Sequence, residues 1–378
     1  MAHFDAIVLG TGGVGSAALY HLAKRGVRAL GIDRFPPGHD RGSSHGATRI
    51  IRQAYFEHPD YTPLLLRAYE LWAELSERCR QLLFQETGLL QVGPPKGEVV
   101  SGVVACARQH QLEIEELTGR EISARWPGFR VAEASSGVFE KRAGYLAVEA
   151  CVQAHLSEAC KAGAELLTPC TALDWQTSGS GVVVSTDRGE FSAGALIVTA
   201  GPWAGQLLND LGLRLEVRRK PVFWFEAIET AYSAARGCPC FLFELPGGIF
   251  YGMPQIDATG VKVAEHTGGA VVADPLQLKR EAEGAERRRV EEFLAACLPQ
   301  VSRRQTRHSV CMYTMSPDGQ FIVDRHPSHQ GVVFAAGLSG HGFKFTGVLG
   351  EALAELALQG ETQAPVGFLA LSRSGLRD

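Results

Sequence analysis

The chain has 378 residues, 45% of them hydrophobic and 21% charged, and a formal net charge of −4. This length favours two domains over a single core, and the weak negative charge gives no electrostatic reason to expect nucleic acid or an anionic membrane as a partner. No apolar run approaches the ~20 residues that a transmembrane helix needs. Nine scattered cysteines lack metal-type spacing, which predicts no metal and a reduced, cytoplasmic protein.

The first predicted elements form a dinucleotide-binding pattern. Residues 6–9 are an apolar strand, residues 10–15 a glycine-rich turn and residues 16–25 a helix. A second apolar strand over 27–32 ends at Asp33. Strand, glycine turn, helix, strand and acid together predict a βαβ unit that binds a dinucleotide.

Each position of this unit has a physical role. Gly10 allows a tight turn, Gly12 lets a pyrophosphate approach the backbone, and Gly15 lets the helix pack on the strand. Asp33 is placed to accept hydrogen bonds from ribose hydroxyls, and an acid there argues against a 2′-phosphate. The unit therefore predicts FAD or NAD and not NADP.

The next segment, residues 36–49, is too rich in glycine, proline and serine for a regular element. A long loop close to a dinucleotide site is usually functional. It ends at Arg49, and Arg52 follows after two isoleucines. Arginines next to apolar residues are not easily left in solvent, so we predict that both are partly buried and contact an anion or the cofactor.

The middle of the chain alternates helices and strands. We predict helices over 61–75, 97–110 and 148–162, and strands over 87–93, 139–146, 165–167 and 195–201. Residues 182–184 pair with residues 190–191 in a hairpin between the last two strands. A helix, a strand, a three-stranded excursion and a return strand are typical of the second half of an FAD-binding domain, which favours FAD over NAD.

The last third adds a second sheet and a second glycine loop. We predict antiparallel strands over 215–225 and 239–262, a charged amphipathic helix over 275–297, a strand over 331–336, a glycine loop over 337–344 and a helix over 346–358. Lys344 lies at the start of the last helix, where the helix dipole repels a merely solvated cation. A helix N-terminus directed at a flavin would stabilise negative charge on the reduced ring, so we predict a functional role for Lys344.

These elements predict an α/β (α+β) fold with two domains. One is a glutathione-reductase-type FAD-binding Rossmann domain formed by residues 1–85, 146–218 and 312–372. The other is a mostly antiparallel-sheet substrate domain formed by residues 86–145 and 219–311.

Four stretches carry a resemblance to a known family. They are residues 44–52, residues 250–254 with Lys262 and His266, residues 310–314, and residues 337–344. They resemble the monomeric sarcosine oxidases and N-methyltryptophan oxidases, flavoprotein amine oxidases to which the peroxisomal sarcosine and pipecolate oxidases are close. The spacing between the stretches also matches, so the resemblance covers nearly the whole chain.

The resemblance implies roles for individual residues. It implies a covalent bond between the flavin 8-methyl carbon and the sulfur of Cys311. It implies that Arg52 and Lys344 bind the substrate carboxylate, since two cations orient one anion as well as hold it. Lys262 matches the lysine beside flavin N5, where a cation favours oxygen reduction.

The resemblance completes the predicted site. The predicted catalytic residues are Lys262, Arg49, His266 and Tyr251, and the predicted substrate-binding residues are Arg52, Lys344, Tyr313 and Leu242. The predicted cofactor-binding residues are Gly10, Gly12, Gly13, Val14, Gly15, Asp33, Arg34, Ser43, Ser44, His45, Thr48, Arg49, Gly201, Cys311, Gly337, Gly340, Gly342, Phe343 and Lys344.

Three positions depart from the family pattern. Ala47 replaces an aspartate common in bacterial members, Phe250 replaces a tyrosine, and Leu242 stands where bacterial sarcosine enzymes tend to carry methionine. These departures concern the substrate's side chain and leave the flavin chemistry unchanged.

The predicted function is FAD-dependent oxidation of a secondary (N-methyl) amino acid such as sarcosine, which with water and oxygen gives glycine, formaldehyde and hydrogen peroxide. N-methyltryptophan, pipecolate and proline remain open as substrates, and so does an FAD dehydrogenase that passes electrons to a protein. A non-catalytic flavin-binding subunit would not need Arg52 and Lys344. The expected partners are the amino acid and oxygen, and the chain is expected to act as a monomer.

Overall fold

The computed structural model describes residues 2–179, 181–228 and 230–376. Met1, Ser180 and Glu229, which fall inside the predicted domains, and residues 377–378 lie outside the described residues. The elements in chain order are β1 (Ala2–Leu9), α1 (Gly13–Lys24), β2 (Ala29–Ile32), β3 (Thr48–Ile51), α2 (Tyr61–Cys79), β4 (Phe84–Glu86), β5 (Leu89–Gly93), α3 (Glu98–His110), β6 (Glu115–Thr118), α4 (Gly119–Arg125), β7 (Ser136–Glu140), β8 (Gly144–Ala147), α5 (Val148–Lys161), β9 (Glu165–Leu167), β10 (Ala172–Ser178), β11 (Gly181–Thr186), β12 (Gly189–Val198), α6 (Ala204–Leu207), β13 (Glu216–Ala227), β14 (Cys240–Leu245), β15 (Gly248–Met253), β16 (Val261–Glu265), α7 (Gly284–Cys297), β17 (Val301–Met315), β18 (Ile322–Arg325), β19 (Val332–Ala336) and α8 (Thr346–Gln359).

The first sheet is built around β1. This strand pairs in parallel with β2 on one side and β12 on the other, and β12 pairs in parallel with β19. Alternate residues of β1 enter different cores, Ala6 and Val8 one and Ile7 and Leu9 the other, which is why this strand reads as a continuous apolar run. The β11–β12 hairpin pairs Val184 with Phe191, which confirms the predicted excursion.

The second sheet runs in the order β17-β13-β16-β15-β14-β5-β7-β6 and is antiparallel except for the β14–β5 pair. This confirms the prediction of a mostly antiparallel second sheet, and the two sheets confirm the α/β fold class. A small sheet, β3-β8-β4, carries the strand that ends beside Arg52. Strands β13 and β17 both extend across predicted domain boundaries, so the division of the chain at residues 218 and 311 stays a prediction.

The predicted helix over 275–297 is wrong in its first half. Residues Pro275–Gln277 form a single 3-10 turn, which the Asp274 side chain caps, and the helix begins only at Gly284. The intervening carbonyls of Lys279 and Glu281 accept hydrogen bonds from Arg219. A buried guanidinium therefore takes acceptors that a helix would have used for its own N–H groups. Within the described ranges, no helix is both long and apolar enough to cross a membrane.

The carboxyl ends of four strands in the first sheet position several of the predicted cofactor-binding residues. Gly10 follows β1, Asp33 follows β2, Gly201 lies just after β12, and Gly337 follows β19. These four strands are mutually parallel, so their carboxyl ends meet along one edge. Ligands of open α/β sheets bind at that edge.

Candidate active site

The glycine turn is as tight as its sequence predicts. Gly10 has φ +87°, a conformation that favours glycine, and a Cβ added at Gly15 would lie 1.8 Å from the Gly10 carbonyl oxygen. The N-cap position of α1 is Gly12, which has no side chain to satisfy the first N–H groups of the helix. Helix α1 therefore begins with backbone donors and a positive dipole end.

Asp33 lies beside this turn. Its Oδ2 accepts hydrogen bonds from the backbone N–H of Thr11 (2.7 Å), and its Oδ1 accepts one from the backbone N–H of Phe35 (2.9 Å). The carboxylate thus holds the turn as well as facing the cavity. Its predicted role as acceptor for ribose hydroxyls stays a prediction.

An open cavity of about 1400 Å³ runs along the strand ends. Of the predicted cofactor-binding residues, those that line it are Gly10, Gly12, Gly13, Val14, Asp33, Arg34, Ser43, Ser44, Arg49, Gly201, Gly337, Gly340, Gly342 and Phe343. Gly15, His45, Thr48 and Cys311 do not line it, and Lys344 lines a second cavity instead. Sequence reasoning missed Phe35 and Trp203, whose rings face each other at 5.9 Å in the wall.

These residues fit FAD. Gly13 packs against the protein itself, since a Cβ there would meet Thr346 at 2.7 Å and Ser44 at 3.0 Å. A Cβ at Gly12 would meet only Ser44, at 3.8 Å, so the space beside Gly12 can take a pyrophosphate. The cavity also supplies an acid for ribose and flat apolar walls for rings. We refer to it as the cofactor cavity.

A second cavity of about 550 Å³ adjoins the first, and we refer to it as the substrate cavity. Its lining residues are Arg49, Ile50, Arg52, Phe56, Glu57, Leu242, Tyr251, His266, Tyr313, Gly340, His341, Phe343 and Lys344. Arg49, Tyr313, Gly340 and Phe343 line both cavities, so the two share a wall. The structure thus brings together all four predicted substrate-binding residues.

Cys311 lies in a cationic environment. Its sulfur is 3.3 Å from Arg49 Nη2 and 3.8 Å from His45 Nδ1. Burial opposes ionisation of the thiol, but Arg49 and then His45 outweigh it and lower the pKa of Cys311 to about 6. Cys311 is therefore largely a thiolate at neutral pH, unlike the buried Cys151, Cys238 and Cys240, whose pKa values burial raises.

Lys262 is a buried cation without a carboxylate at its head group among the described residues. Its Nζ donates hydrogen bonds to the carbonyl oxygens of Gly46 (2.6 Å) and Thr48 (2.8 Å), and lies 5.2 Å from the centre of the Trp224 ring. Burial lowers the pKa of Lys262 well below its usual value. The side chain lines neither cavity, and it packs behind the loop that carries His45.

Arg52 has a partner that sequence reasoning missed. Its Nη2 lies 2.6 Å and 2.7 Å from the two carboxylate oxygens of Glu57, between the rings of Tyr55 and Phe56. Burial alone would raise the pKa of Glu57, but Arg52 lowers it to about 2. An acid five residues after an arginine, between the predicted loop over 36–49 and the predicted helix over 61–75, was the only signal in the sequence for this pair.

Lys344, at the end of the second glycine loop (residues 337–344), lines the same cavity as Arg52 and Glu57. Its Nζ donates to the His341 carbonyl (2.8 Å) and to the Tyr55 hydroxyl (3.2 Å). Burial, followed by the charge of Arg52, lowers the pKa of Lys344 to about 7. When Lys344 is protonated, Arg52 and Lys344 present two cations to the substrate cavity against one carboxylate, which leaves a positive excess for an anionic ligand.

The substrate cavity also has an aromatic wall, formed by Tyr251, His266 and Tyr313. The Tyr313 hydroxyl lies 3.5 Å from His266 Nδ1, and the Tyr251 and His266 rings meet edge to face at 6.3 Å. Burial lowers the pKa of His266 to about 3, so its imidazole is neutral at physiological pH. Leu242 and Ile50 add apolar surface.

One other cluster brings metal-type ligands together. Ligand atoms of Asp210, His326 and His329 lie within 4.8 Å of one another. His326 Nε2 lies 2.9 Å and His329 Nε2 lies 3.8 Å from the same Asp210 oxygen, Oδ2. The cluster is therefore one carboxylate in contact with two imidazoles, and we assign no metal to it.

Comparison with known proteins gives a consistent result. A family profile described as FAD dependent oxidoreductase matches residues 5–356. The chain is 41% identical to monomeric sarcosine oxidase from Bacillus sp. (strain B-0618), over 100% of this chain and 97% of the relative. It is 36% identical to N-methyl-L-tryptophan oxidase from Citrobacter koseri, over 96% of both chains.

Solved structures agree in fold. NikD, an unusual amino acid oxidase essential for nikkomycin biosynthesis, superposes with a TM-score of 0.85 at 26% identity, covering 98% of each chain. Glycine oxidase from Geobacillus kaustophilus superposes with a TM-score of 0.83 at 21% identity, covering 99% of each chain.

Proposed function

Because this chain belongs to the FAD dependent oxidoreductase family, and within it to the group of monomeric sarcosine oxidases and N-methyltryptophan oxidases, we propose that it oxidises N-methyl amino acids such as sarcosine. Sarcosine, water and oxygen would give glycine, formaldehyde and hydrogen peroxide. The observation that carries the proposal is that a substrate cavity lined by Arg52 and Lys344 shares a wall with the cofactor cavity.

Arg52 and Lys344 bind the substrate carboxylate in this proposal. Both side chains are buried and line the substrate cavity, where charge-assisted hydrogen bonds are strong. Glu57 keeps Arg52 charged and in place, while Lys344 supplies the unmatched charge. Fixing the carboxylate at one end orients the amine toward the shared wall of the two cavities.

The aromatic wall receives the amine end. His266 is neutral, and with Tyr251 and Tyr313 it offers polar atoms without a charge that would repel or trap a protonated amine. FAD, when bound, accepts a hydride equivalent from the carbon next to nitrogen and passes two electrons to oxygen. Arg49, which lines both cavities, would stabilise negative charge gathered at their junction.

Lys262 is the proposed site of oxygen activation. Its ammonium is desolvated and held by two carbonyls beside Arg49 and Cys311, so it is preorganised to favour a developing anion of oxygen. Thr48 and His45 position this loop. Their proposed contribution to cofactor binding is therefore indirect.

We also propose that Cys311 attaches the flavin covalently through the 8-methyl carbon. The support is its lowered pKa beside Arg49 and His45, because the thiolate is the nucleophilic form. Joining the sulfur to the methyl carbon releases two electrons and two protons in all, one proton from the thiol when it ionises and one from the methyl group, and oxygen accepts them to give hydrogen peroxide. Denatured protein should stay yellow, and a tryptic peptide with Cys311 should carry the mass of FAD, whereas Cys311→Ser should release all its flavin on acid precipitation. Release of all flavin by the wild type would refute the attachment.

The function itself is tested by a hydrogen peroxide assay across sarcosine, N-methyltryptophan, pipecolate, proline and primary amino acids. Peroxide formed fastest with an N-methyl amino acid supports the proposal. A preference for pipecolate or proline would move it to cyclic amino acids. Flavin reduction by substrate with slow oxygen consumption and fast transfer to artificial acceptors would replace it by a dehydrogenase.

We propose the predicted division of labour between segments 1–85, 146–218 and 312–372, which would hold the cofactor, and segments 86–145 and 219–311, which would form the substrate wall. A monomer is proposed because the chain is similar to monomeric sarcosine oxidases. A cytoplasmic location is proposed from the cysteines, since all nine lie in described residues and are free thiols. Size-exclusion chromatography with light scattering tests the monomer.

A further inference from the structure

The loop that follows β16 forms part of the aromatic wall, and it has little structure of its own. His266 begins it, and Gly268 and Gly269 follow with φ +66° and +105°. Two successive glycines in the left-handed region leave this backbone few side chains of its own to pack with. The His266 N–H donates to the Ile249 carbonyl (2.7 Å), and the Thr267 hydroxyl accepts from the Ile249 N–H (3.2 Å), so β15 holds one side of the loop.

Lys220, in the middle of β13, holds this loop. Its Nζ donates hydrogen bonds to three successive carbonyl oxygens, those of His266 (3.0 Å), Thr267 (2.8 Å) and Gly268 (3.3 Å). A Cβ at Gly269 would lie 3.0 Å from Lys220 Cδ, so the loop folds directly over the lysine stem. Lys220 is 3% exposed, and within the described ranges it forms no ion pair with a carboxylate.

The same ammonium supports the neighbouring aromatic residue. Lys220 pairs with Cys311 in the β13–β17 register, on the face that also carries Tyr313, and its Nζ lies 5.2 Å from the Tyr313 ring centre. Tyr313 in turn meets His266 at 3.5 Å. One cation therefore contacts both the backbone of His266 and the ring of Tyr313. Burial lowers the pKa of Lys220 to about 8, because removing a charge from water costs free energy. Hydrogen bonds to the three carbonyls offset part of that cost.

We propose that Lys220 is a positioning residue, whose buried ammonium fixes the loop over 266–268 and thereby sets the aromatic wall against which the amine end of the substrate is bound. This inference rests on the proposed function. Lys220 lines neither cavity, yet it would control how tightly the amine end of the substrate binds. Arg52 and Lys344 would bind the carboxylate end separately.

The adjacent residue offers a matched control. Arg219 is also buried in β13, at 4% exposure, and it also donates to backbone carbonyls of a loop, those of Lys279 and Glu281. Strand alternation directs it to the opposite face, away from the substrate cavity. Arg219→Met should therefore cost stability as Lys220→Met does, without altering the aromatic wall.

The experiment uses holoenzymes of the wild type, Lys220→Met, Lys220→Gln and Arg219→Met. It measures KM and kcat for sarcosine, Tm, and Kd for acetate from the flavin spectrum. Lys220→Met should raise KM about 10-fold or more, because a displaced wall misplaces the amine. Acetate, which needs only the carboxylate end, should bind within about 2-fold of the wild type, since the contacts of Lys220 are with the loop over 266–268 and the Tyr313 ring. Arg219→Met should lower Tm and leave KM unchanged.

Lys220→Gln keeps two N–H donors without the charge, and it should give a smaller rise in KM than Lys220→Met. It decides the question if Lys220→Met does not fold. A KM in the Lys220 variants no different from that of Arg219→Met, or an equal loss of acetate and sarcosine binding, would overturn the proposal. Failure of the wild type to oxidise any N-methyl amino acid would refute the proposed function instead.

Discussion

The cofactor cavity and the substrate cavity are built by different means. The cofactor cavity is walled largely by glycine backbone at the carboxyl ends of parallel strands, at Gly10, Gly12, Gly201 and Gly337. The substrate cavity is walled by side chains, and its polar members are charged or titratable. The cofactor cavity therefore depends on backbone shape, and the substrate cavity on a balance of charges that are buried away from water. Replacing a glycine should impair cofactor binding, whereas replacing a charged residue should impair substrate binding or turnover.

The largest effect is expected from adding a methyl group to the glycine turn. In Gly15→Ala the new Cβ would lie 1.8 Å from the Gly10 oxygen and 2.5 Å from Thr199 Oγ1, so strand and helix must separate. We expect loss of most of the flavin and about 3 kcal/mol or more of unfolding free energy. Flavin absorbance per protein and urea unfolding measure this. A Cβ at Gly205 would meet no described atom within 4 Å, so Gly205→Ala is the control, and equal flavin content in both variants would contradict the prediction.

Removing the charge of Lys262 should slow oxygen reduction and leave binding of the substrate carboxylate unchanged. Lys262→Met leaves both cavity linings intact, since the side chain lines neither. Reoxidation of the reduced flavin should slow by ~10²-fold or more, the usual loss for one preorganised charge. Stopped-flow measurement of each half-reaction tests this. Equal slowing of reduction and reoxidation would mean that Lys262 only supports the loop at Gly46 and Thr48.

Removing either cation of the substrate cavity should affect carboxylated substrates alone. A charge-assisted hydrogen bond is worth roughly 1.5 to 3 kcal/mol, so Arg52→Gln and Lys344→Met should each lower kcat/KM by about one to two orders of magnitude. The loss should be similar for every amino acid, whatever its side chain. An amine without a carboxylate should be a poor substrate and should respond little. If both variants lose activity equally on both kinds of amine, these cations support the flavin instead.

The smallest effect is expected on the pH dependence of the unfolding free energy. Burial lowers the pKa values of His21 in α1 and His155 in α5 to about 3. Below pH 6.5 the unfolded chain binds protons that the folded chain does not, so stability is full above that pH and falls as the pH drops toward about 3. The slope is ~1.4 kcal/mol per pH unit for each histidine.

Urea unfolding of the wild type and of His155→Gln at pH 7, 6 and 5 tests this pH dependence. The variant should lose the slope of one histidine, while His266 and His341 in the substrate cavity keep theirs, because burial lowers their pKa values too. An unchanged slope in His155→Gln would show that this residue is protonated in the folded protein.

Much of the cofactor cavity was predictable because its parts are local in the chain. A strand, a glycine turn and a helix specify one another within residues 6–25, and the second glycine loop repeats the arrangement. The same locality made several strands of both sheets, such as β1, β5 and β19, predictable from alternating or continuous apolar runs, whereas β6, β10, β17 and β18 were not predicted. The prediction of a helix over 275–297 was wrong in its first half, because carbonyls there accept hydrogen bonds from Arg219, which lies far away in sequence.

The substrate cavity and the reactivity of its neighbours depend on the tertiary structure. The sequence and its family resemblance determined which residue types are present: two cations, two tyrosines, a histidine and a cysteine. Only folding brings Arg49 to Cys311, 262 positions away, where its charge outweighs burial and makes the thiol acidic. Only folding pairs Arg52 with Glu57, and only the alternation of β13 sends Lys220 toward the substrate wall and Arg219 away from it. A pKa and the direction of a side chain depend on what surrounds them in space, and spacing along the chain does not contain that information.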